Sequence, residues 1–268
     1  MNRRDFVAGS VGASLAPALG QSPAGSRAPE APAASGKPQL LELRRIHLRS
    51  GPMVARYHDY AKNALVPGLN RAGVKTVGAF NLAVGPGTPT VYLLLAHPSA
   101  DAMLTLSSRL VADAEYAKTA AAFRALTAND PPYIRRESSL MTTFAGMPTL
   151  DLPSGPSAVP SRVFELRTYE SHNDRAGLKK IEMFENGEFP IFRKVGLNWV
   201  FFARDIVGSS LPSLTYLLVF PNLATFEKNW AAFRDDPDWV KLRSEPQYQD
   251  IVSNIHSLIL RPTDYSQI

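Results

Sequence analysis

The chain of 268 residues contains no cysteine, which excludes disulfide bonds, thiolate metal sites and a cysteine nucleophile. No stretch reaches 18 consecutive apolar residues, so we expect no membrane-spanning helix in the mature protein. The glycine patterns of nucleotide-binding loops and the serine pattern of esterases are missing. The excess of 29 Lys and Arg over 24 Asp and Glu is small and dispersed, so nucleic acid is not an expected partner.

The five histidines show no pair at a short metal-binding spacing. The sequence therefore predicts no metal site, and we expect no cofactor. A haem-binding protein stays open only as the weakest of the functional alternatives.

The N-terminus has the order of an export signal. Arg3 and Arg4 are followed by an apolar stretch over residues 6–19, and small residues stand at Ala16, Ala18 and Gly20. Residues 1–20 thus predict a twin-arginine signal peptide, with the twin-arginine export machinery as partner and a periplasmic or secreted product. The alternative is a disordered basic tail.

Residues 21–39 predict a flexible spacer, because 14 of the 19 are Pro, Ala, Ser or Gly and none repeats with an apolar period. Folding should begin near Leu40.

The remainder of the chain contains a tandem repeat of one sequence unit. The segment Leu41–Arg44 (LELR) recurs 123 residues later as Phe164–Arg167 (FELR). At an offset one residue longer, Tyr92 matches Tyr216. The patterns predict strands at 40–48, 74–84, 90–97, 136–144, 163–169, 197–207, 214–220 and 251–260, and helices at about 52–72, 98–126 and 174–195 and around residues 226–233.

Each copy therefore has the order β-α-β-β-α-β, and the fold class is α+β with two tandem ferredoxin-like domains. We place the domains at residues 40–145 and 161–268. The linker at 146–160 contains four prolines.

The second copy resembles the NIPSNAP family. The resemblance rests on Val163–Tyr169 (VFELRTY), on Trp230–Phe233 (WAAF) followed by Asp236–Trp239 (DPDW), and on Leu258–Ser266 (LILRPTDYS). The first copy is more diverged and lacks both tryptophan motifs. The resemblance implies a dimeric α+β barrel with two sheets packed face to face, and a homo-oligomer is one arrangement that it allows. The family's biochemical role is undefined, and relatives on this fold include cofactor-free oxygenases, haem enzymes and isomerases.

The opening strand of each copy alternates between apolar and charged residues. We expect the apolar positions to face the helices and the alternate positions to point into the barrel lumen. The expected lumen residues are Glu42, Arg44, Glu165, Arg167 and Tyr169, with Tyr92 and Tyr216 as candidate lumen phenols. The charges are interpreted either as internal ion pairs that hold strand register or as groups that bind a ligand. The two phenols are alternatively core residues.

His47 and His172 lie at or just past the ends of equivalent strands, where a histidine can act as an acid or base near neutral pH. Their alternative role is that of solvated loop residues.

The leading functional hypothesis is an exported protein that binds or converts a small apolar molecule in the barrel lumen. A non-catalytic interaction or stress-response module with a packed barrel core is the competing hypothesis. The sequence does not decide whether the protein is an enzyme.

Replacement of both Arg3 and Arg4 by lysine should leave the precursor in the cytoplasm, because the paired arginines are the feature that the export route reads. Cell fractionation and immunoblotting measure the distribution. The matched control, Arg27→Lys in the spacer, should be exported normally. Normal export of the double variant would contradict the signal.

Overall fold

The computed structural model describes residues 36–155 and 159–268, and the predicted export signal and most of the predicted spacer lie outside these ranges. The described residues form eight strands. These are β1 (Leu40–His47), β2 (Val77–Leu82), β3 (Thr90–His97), β4 (Arg135–Thr143), β5 (Val163–Glu170), β6 (Asn198–Val207), β7 (Ser213–Phe220) and β8 (Asn254–Pro262).

Helices connect the strands on the outside. They are α1 (Pro52–Tyr60), α2 (Val66–Arg71), α3 (Ala100–Leu104), α4 (Leu106–Ala112), α5 (Ala114–Thr119), α6 (Ala121–Arg124), α7 (Asp174–Met183), α8 (Phe189–Lys194), α9 (Leu223–Asp235) and α10 (Pro237–Arg243). A 3₁₀ turn follows at Pro246–Tyr248. No helix among these residues is long and apolar enough to cross a membrane.

All strand pairs are antiparallel, and the sheet closes into a barrel in the order β1-β3-β2-β8-β5-β7-β6-β4. The first four strands therefore lie in the order β4-β1-β3-β2, and the last four in the corresponding order β8-β5-β7-β6. Pairing of β2 with β8 and of β4 with β6 joins the two halves. The sheets expected to face each other are thus also hydrogen-bonded to each other along both edges, so each of the eight described strands has a partner on both sides.

Closure buries both faces of most strands. One apolar cluster has members from all eight strands and fills the barrel interior; it includes Leu41, Phe80, Leu94, Phe164 and Leu217. Two other clusters lie between the outer face and the helices, one in each half. Successive residues of a strand alternate between these environments, as the two-residue period of a strand requires.

The first helical segment of each half contains a π-helical turn at the same place. These turns span Ala61–Leu65 and Phe184–Glu188, 123 residues apart. In each, the next backbone N–H donates to the carbonyl five residues back, and Pro67 or Pro190, which has no N–H to donate, follows. The turn widens the helix directly over the outer face of the barrel.

The single helix expected at residues 98–126 is broken into α3, α4, α5 and α6. The break after α4 has a clear cause: Asp113 adopts an extended conformation, and its side chain accepts a hydrogen bond from the N–H of Tyr116 to begin α5. The helical period was present in the sequence, but this internal cap interrupts it.

Candidate functional site

The charged residues expected in the lumen lie instead on the outer face of the barrel, beneath the helices. Glu165 accepts a hydrogen bond from the indole of Trp230 on α9, and Tyr169 and Tyr216 pack against Phe184. Glu42, Arg44 and Arg167 lie on the same face, whereas Leu41, Leu43, Phe164 and Leu166 fill the interior. The assignment of faces was wrong because both faces are buried, and alternation alone does not identify the inner one. The narrow interior takes apolar side chains, while the helix layer has polar groups that can pair with carboxylates.

Each half holds one buried glutamate with three side-chain donors. Glu42 accepts hydrogen bonds from Arg44 (2.7 and 2.9 Å), Ser138 (2.6 Å) and His97 (3.0 Å).

Glu165 accepts hydrogen bonds from Arg167 (2.8 Å), Ser257 (2.6 Å) and Trp230 (2.6 Å). The internal repeat therefore includes the charge network, with an indole in place of the imidazole. This arrangement agrees with the interpretation of the charges as internal ion pairs, since each carboxylate has its hydrogen-bond partners within the protein.

Burial alone would raise the pKa of Glu42, but its hydrogen bonds from His97, Arg44 and Ser138 outweigh burial and hold the pKa well below its ordinary value. Glu42 is therefore ionised at neutral pH, and it fixes the position of the Arg44 guanidinium with a two-point contact.

The two candidate histidines lie in different environments. His47 is half-buried, with Nδ1 3.2 Å from the Thr90 hydroxyl and Nε2 3.5 Å from Glu137. His172 is exposed in the loop before α7. The structure does not bring the two rings to one site.

The two candidate phenols also separate. Tyr216 pairs with Arg167 across β5 and β7, whereas Tyr92 pairs with Arg45, the neighbour of Arg44. The two tyrosines are therefore not equivalent. Each residue of β3 corresponds in the structure to the β7 residue 123 positions later in the chain, whereas the match of Tyr92 with Tyr216 assumed 124 positions. Tyr92 lies in the barrel interior and Tyr216 under the helices.

The first half contains a cleft between the outer face of the barrel and the helices, with a volume of about 310 Å³. This volume lies at the lower end of the range of ligand pockets. We call it the helix–sheet cleft. Its lining combines four tyrosines, three arginines and an apolar floor: Tyr57, Tyr60, Tyr116, Tyr133, Arg44, Arg124, Arg136, Ile46, Leu65, Leu93, Phe123 and Pro132.

The tyrosines of the cleft form a rigid aromatic wall. Tyr60 stacks on Phe123 with ring centroids 3.8 Å apart, and its hydroxyl lies 2.8 Å from that of Tyr116. Tyr57 packs edge-on against Phe123 and is almost fully buried. Its hydroxyl makes no hydrogen bond to any residue that the structure describes. A planar molecule in the cleft would thus meet ring faces and the hydroxyls of Tyr57 and Tyr133, neither of which is hydrogen-bonded to a described residue.

Positive charge concentrates around the Tyr57 hydroxyl. Burial raises the pKa of Tyr57, and the charges of Arg44 and Arg136 oppose that rise. Arg44 uses Nε and Nη2 to hold Glu42, while its Nη1 makes no hydrogen bond within the described ranges. Arg124 and Arg136 are exposed at the rim. Among the residues that the structure describes, no carboxylate or histidine lines the cleft.

Protein side chains occupy the equivalent space in the second half. Lys180 stands where Tyr57 stands in the first half, and its ammonium forms a buried ion pair with Glu188, the counterpart of Leu65. The same ammonium lies 4.3 Å from the ring centroid of Phe184 and 5.8 Å from that of Trp239. In the first half the corresponding space is an open cleft with three arginines in its lining.

Sequence reasoning found Arg44 but missed the four tyrosines and the two rim arginines. Tyr57 and Tyr60 were visible only as apolar members of a helical period. The available signal was the difference between the copies: a tyrosine in the first aligns with a lysine in the second.

No group of three or more His, Asp or Glu side chains within the described ranges is arranged to hold a metal ion. The donors of the cleft are phenols and guanidinium groups, which suit an organic anion better than a metal cation.

Residues 164–267 match the family model of NIPSNAP. Comparison with curated proteins finds no match.

Among solved structures, a candidate monooxygenase from Lactobacillus acidophilus NCFM is similar over 87% of this chain and 99% of its own, with a TM-score of 0.53 and 9% identity. A candidate monooxygenase from Fusobacterium nucleatum is similar over 84% and 93%, with a TM-score of 0.55 and 8% identity. An anthrone oxidase-like protein is similar over 86% and 93%, with a TM-score of 0.51 and 10% identity. At these identities the likeness establishes the α+β barrel fold alone.

Glu42→Gln should destabilise the protein by about 3 kcal/mol or more at pH 7, because it leaves Arg44 buried without its counter-charge. The folded-state pKa of Glu42 is depressed, so its contribution is present above its ordinary pKa of 4.5 and is lost as the pH falls below that value. The difference between wild type and variant in the free energy of unfolding should therefore shrink between pH 7 and pH 3. Urea denaturation measures it.

The control is Glu227→Gln on the exposed side of α9, which should change stability by less than about 0.5 kcal/mol at either pH. A Glu42→Gln penalty that stays constant with pH would show that the carboxylate charge is not what stabilises the network.

Proposed function

We propose that the protein binds a small planar aromatic anion in the helix–sheet cleft. The observation that carries the proposal is the combination of a phenol-lined wall with three arginines around a cavity of about 310 Å³. Ring faces complement a planar ligand, and guanidinium groups complement a carboxylate or phenolate. The small apolar ligand expected from the sequence is thus refined to an aromatic anion and moved from the lumen to the outer face.

The charges of the lining favour an anionic ligand over a neutral one. The cleft contains three cationic side chains and no carboxylate, and one of the three, Arg44, is already held in place by Glu42. A guanidinium that is ordered before binding loses little further conformational freedom when a ligand arrives. Since no histidine or carboxylate lines the cleft to remove a proton, the ligand should be ionised when it enters.

The proposal extends to the whole chain. The two halves are fused ferredoxin-like units, the first being a diverged copy of the second. In this account the second half serves as a packed scaffold and the first carries the ligand. The paired arginines at positions 3 and 4 support export of the protein before it meets its ligand.

Salicylate, a planar aromatic anion, should bind with a dissociation constant in the micromolar to millimolar range, as measured by calorimetry. Ile46→Tyr should abolish binding, because it places in the cleft the residue that the second half carries at the equivalent position, Tyr169. Arg136→Ala should weaken binding about threefold to tenfold, because a rim charge is partly screened.

Arg135→Ala is the matched control, since Arg135 is the adjacent exposed arginine and does not line the cleft. It should bind salicylate like wild type. Equal losses at the two arginines would indicate general charge attraction, and no binding by wild type at millimolar salicylate would contradict the proposal.

Oxidation of the bound molecule is a second candidate function. The specific observation is the Arg44 and Arg136 charge beside Tyr57, which would stabilise an enolate or phenolate. Such a carbanion-like species, formed by loss of a proton to solvent before binding, can react with dioxygen directly, so that overall a ring CH₂ and O₂ become a ring C=O and water. The candidate monooxygenases and the anthrone oxidase-like protein on this fold support the idea by analogy.

Anthrone offers the test. With the protein present, oxygen uptake and anthraquinone absorbance should both exceed the spontaneous rate, and the excess should disappear in Ile46→Tyr. Salicylate binding without any excess oxidation would favour a non-catalytic binding protein.

A further inference from the structure

A second cavity opens inside the barrel at the end where β1 and β5 terminate. Its volume is about 240 Å³, and residues from both halves line it. We call it the barrel-mouth cavity. It is separate from the helix–sheet cleft, because Arg44 lines the cleft and the next residue, Arg45, lines the barrel mouth on the opposite face of β1.

The cavity has an apolar floor and a polar wall. Leu43, Leu166 and Leu258 form the floor, above the packed part of the interior. The wall includes Arg45 and Tyr92 from the first half and Asp205 from the second. A bound molecule would therefore place its carbon skeleton on the leucines and its polar group toward the wall.

Asp205 offers a hydrogen-bond acceptor to the cavity. Its Oδ2 accepts hydrogen bonds from Ser213 (2.8 Å) and Thr215 (3.0 Å), while its Oδ1 has no partner among the described residues. Burial raises the pKa of Asp205, in opposition to these two hydrogen bonds and to the nearby charge of Arg45. One oxygen of the partly buried carboxyl is thus left unused by the described residues.

Arg45 and Tyr92 supply the complementary groups. Arg45 Nη2 lies 3.3 Å from Glu137, but its Nε is buried and finds no partner within the described part of the chain. Tyr92 is 5% exposed, and its hydroxyl likewise makes no hydrogen bond to a described residue. A buried polar atom left without a partner is costly, so a ligand that satisfies Arg45 Nε would gain affinity.

These groups select a neutral ligand. A carboxylate would place its negative charge beside Asp205, and an ammonium would place its positive charge beside Arg45. A hydroxyl can donate to the carboxyl and accept from the guanidinium or the phenol at once. The volume, below the usual range for drug-sized ligands, admits a molecule of about one ring.

We infer that the barrel mouth is a binding site for a small neutral phenol or alcohol, whose hydroxyl donates to Asp205 Oδ1 and accepts from Arg45 Nε or Tyr92. The site needs both halves of the chain and does not depend on occupancy of the helix–sheet cleft.

The probe is 4-fluorophenol, observed by fluorine NMR in the full chain. The titration is run in wild type and in Ile46→Tyr, whose cleft is blocked, and binding should be the same in both. Asp205→Asn should weaken binding at least tenfold, because its amide presents N–H toward the ligand hydroxyl while its oxygen keeps the hydrogen bonds from Ser213 and Thr215. Asp235→Asn, an exposed aspartate at the end of α9, is the matched control and should bind like wild type.

Ser139→Leu fills the cavity from β4 without removing a polar partner, and it should abolish binding even if Asp205→Asn proves unstable. Circular dichroism and melting temperature establish that each variant is folded. The ligand series 4-fluorotoluene, 4-fluorobenzoate and 4-fluorobenzylamine should bind at least tenfold more weakly than 4-fluorophenol.

Three results would overturn the inference. The first is loss of 4-fluorophenol binding in Ile46→Tyr with retention in Ser139→Leu, which would place the phenol in the cleft. The second is unchanged binding of 4-fluorophenol in both Asp205→Asn and Ser139→Leu. The third is tighter binding of 4-fluorobenzoate than of 4-fluorophenol. The proposal for the helix–sheet cleft is tested separately, by salicylate binding to the wild type and to Arg136→Ala.

Discussion

Closure of the barrel is the constraint on which the rest of the structure depends. Pairing of β2 with β8 and of β4 with β6 satisfies the backbone groups that two separate four-stranded sheets would expose at their edges. It also removes most strand faces from water. Most side chains on these strands must therefore suit either a narrow interior or a layer beneath helices. The helix–sheet cleft and the barrel-mouth cavity lie on opposite sides of that wall.

The charge networks are a consequence of that burial. Glu42 and Glu165 sit where a carboxylate would be strongly disfavoured without partners. Each is held by an arginine of its own strand, by a serine of a neighbouring strand, and by His97 of β3 or Trp230 of α9. In the first half the same network has a second effect. It orders Arg44 at the edge of an open cleft, so a residue that stabilises the fold also presents a fixed positive charge to a ligand.

The two four-stranded halves share a strand order but differ in detail. Both first helical segments carry a π-helical turn before a proline. Over the outer face of β5 this geometry encloses Lys180 and Glu188, whereas over β1 tyrosines and a leucine leave the space open. The barrel mouth differs again, because Arg45 and Tyr92 of one half face Thr168 and Thr215 of the other. The fused chain can therefore hold features that a symmetric pair of identical halves would have to duplicate.

The sequence by itself determined the existence and order of the strands, because apolar alternation and the repeat of LELR as FELR are local signals that closure does not alter. It also offered internal ion pairs of Glu42 with Arg44 and of Glu165 with Arg167 as one of two interpretations, beside ligand binding, since buried charges must be compensated. It could not tell which face of β1 was the interior, nor that Tyr92 and Tyr216 point to opposite sides. A one-residue difference in alignment reverses every side chain of a strand. Only the tertiary structure decided those points, because the inner face is defined by pairing between strands that are far apart in the chain. It alone brought Tyr57, Tyr116 and Arg136 to one cleft, and Arg45 and Asp205 to another.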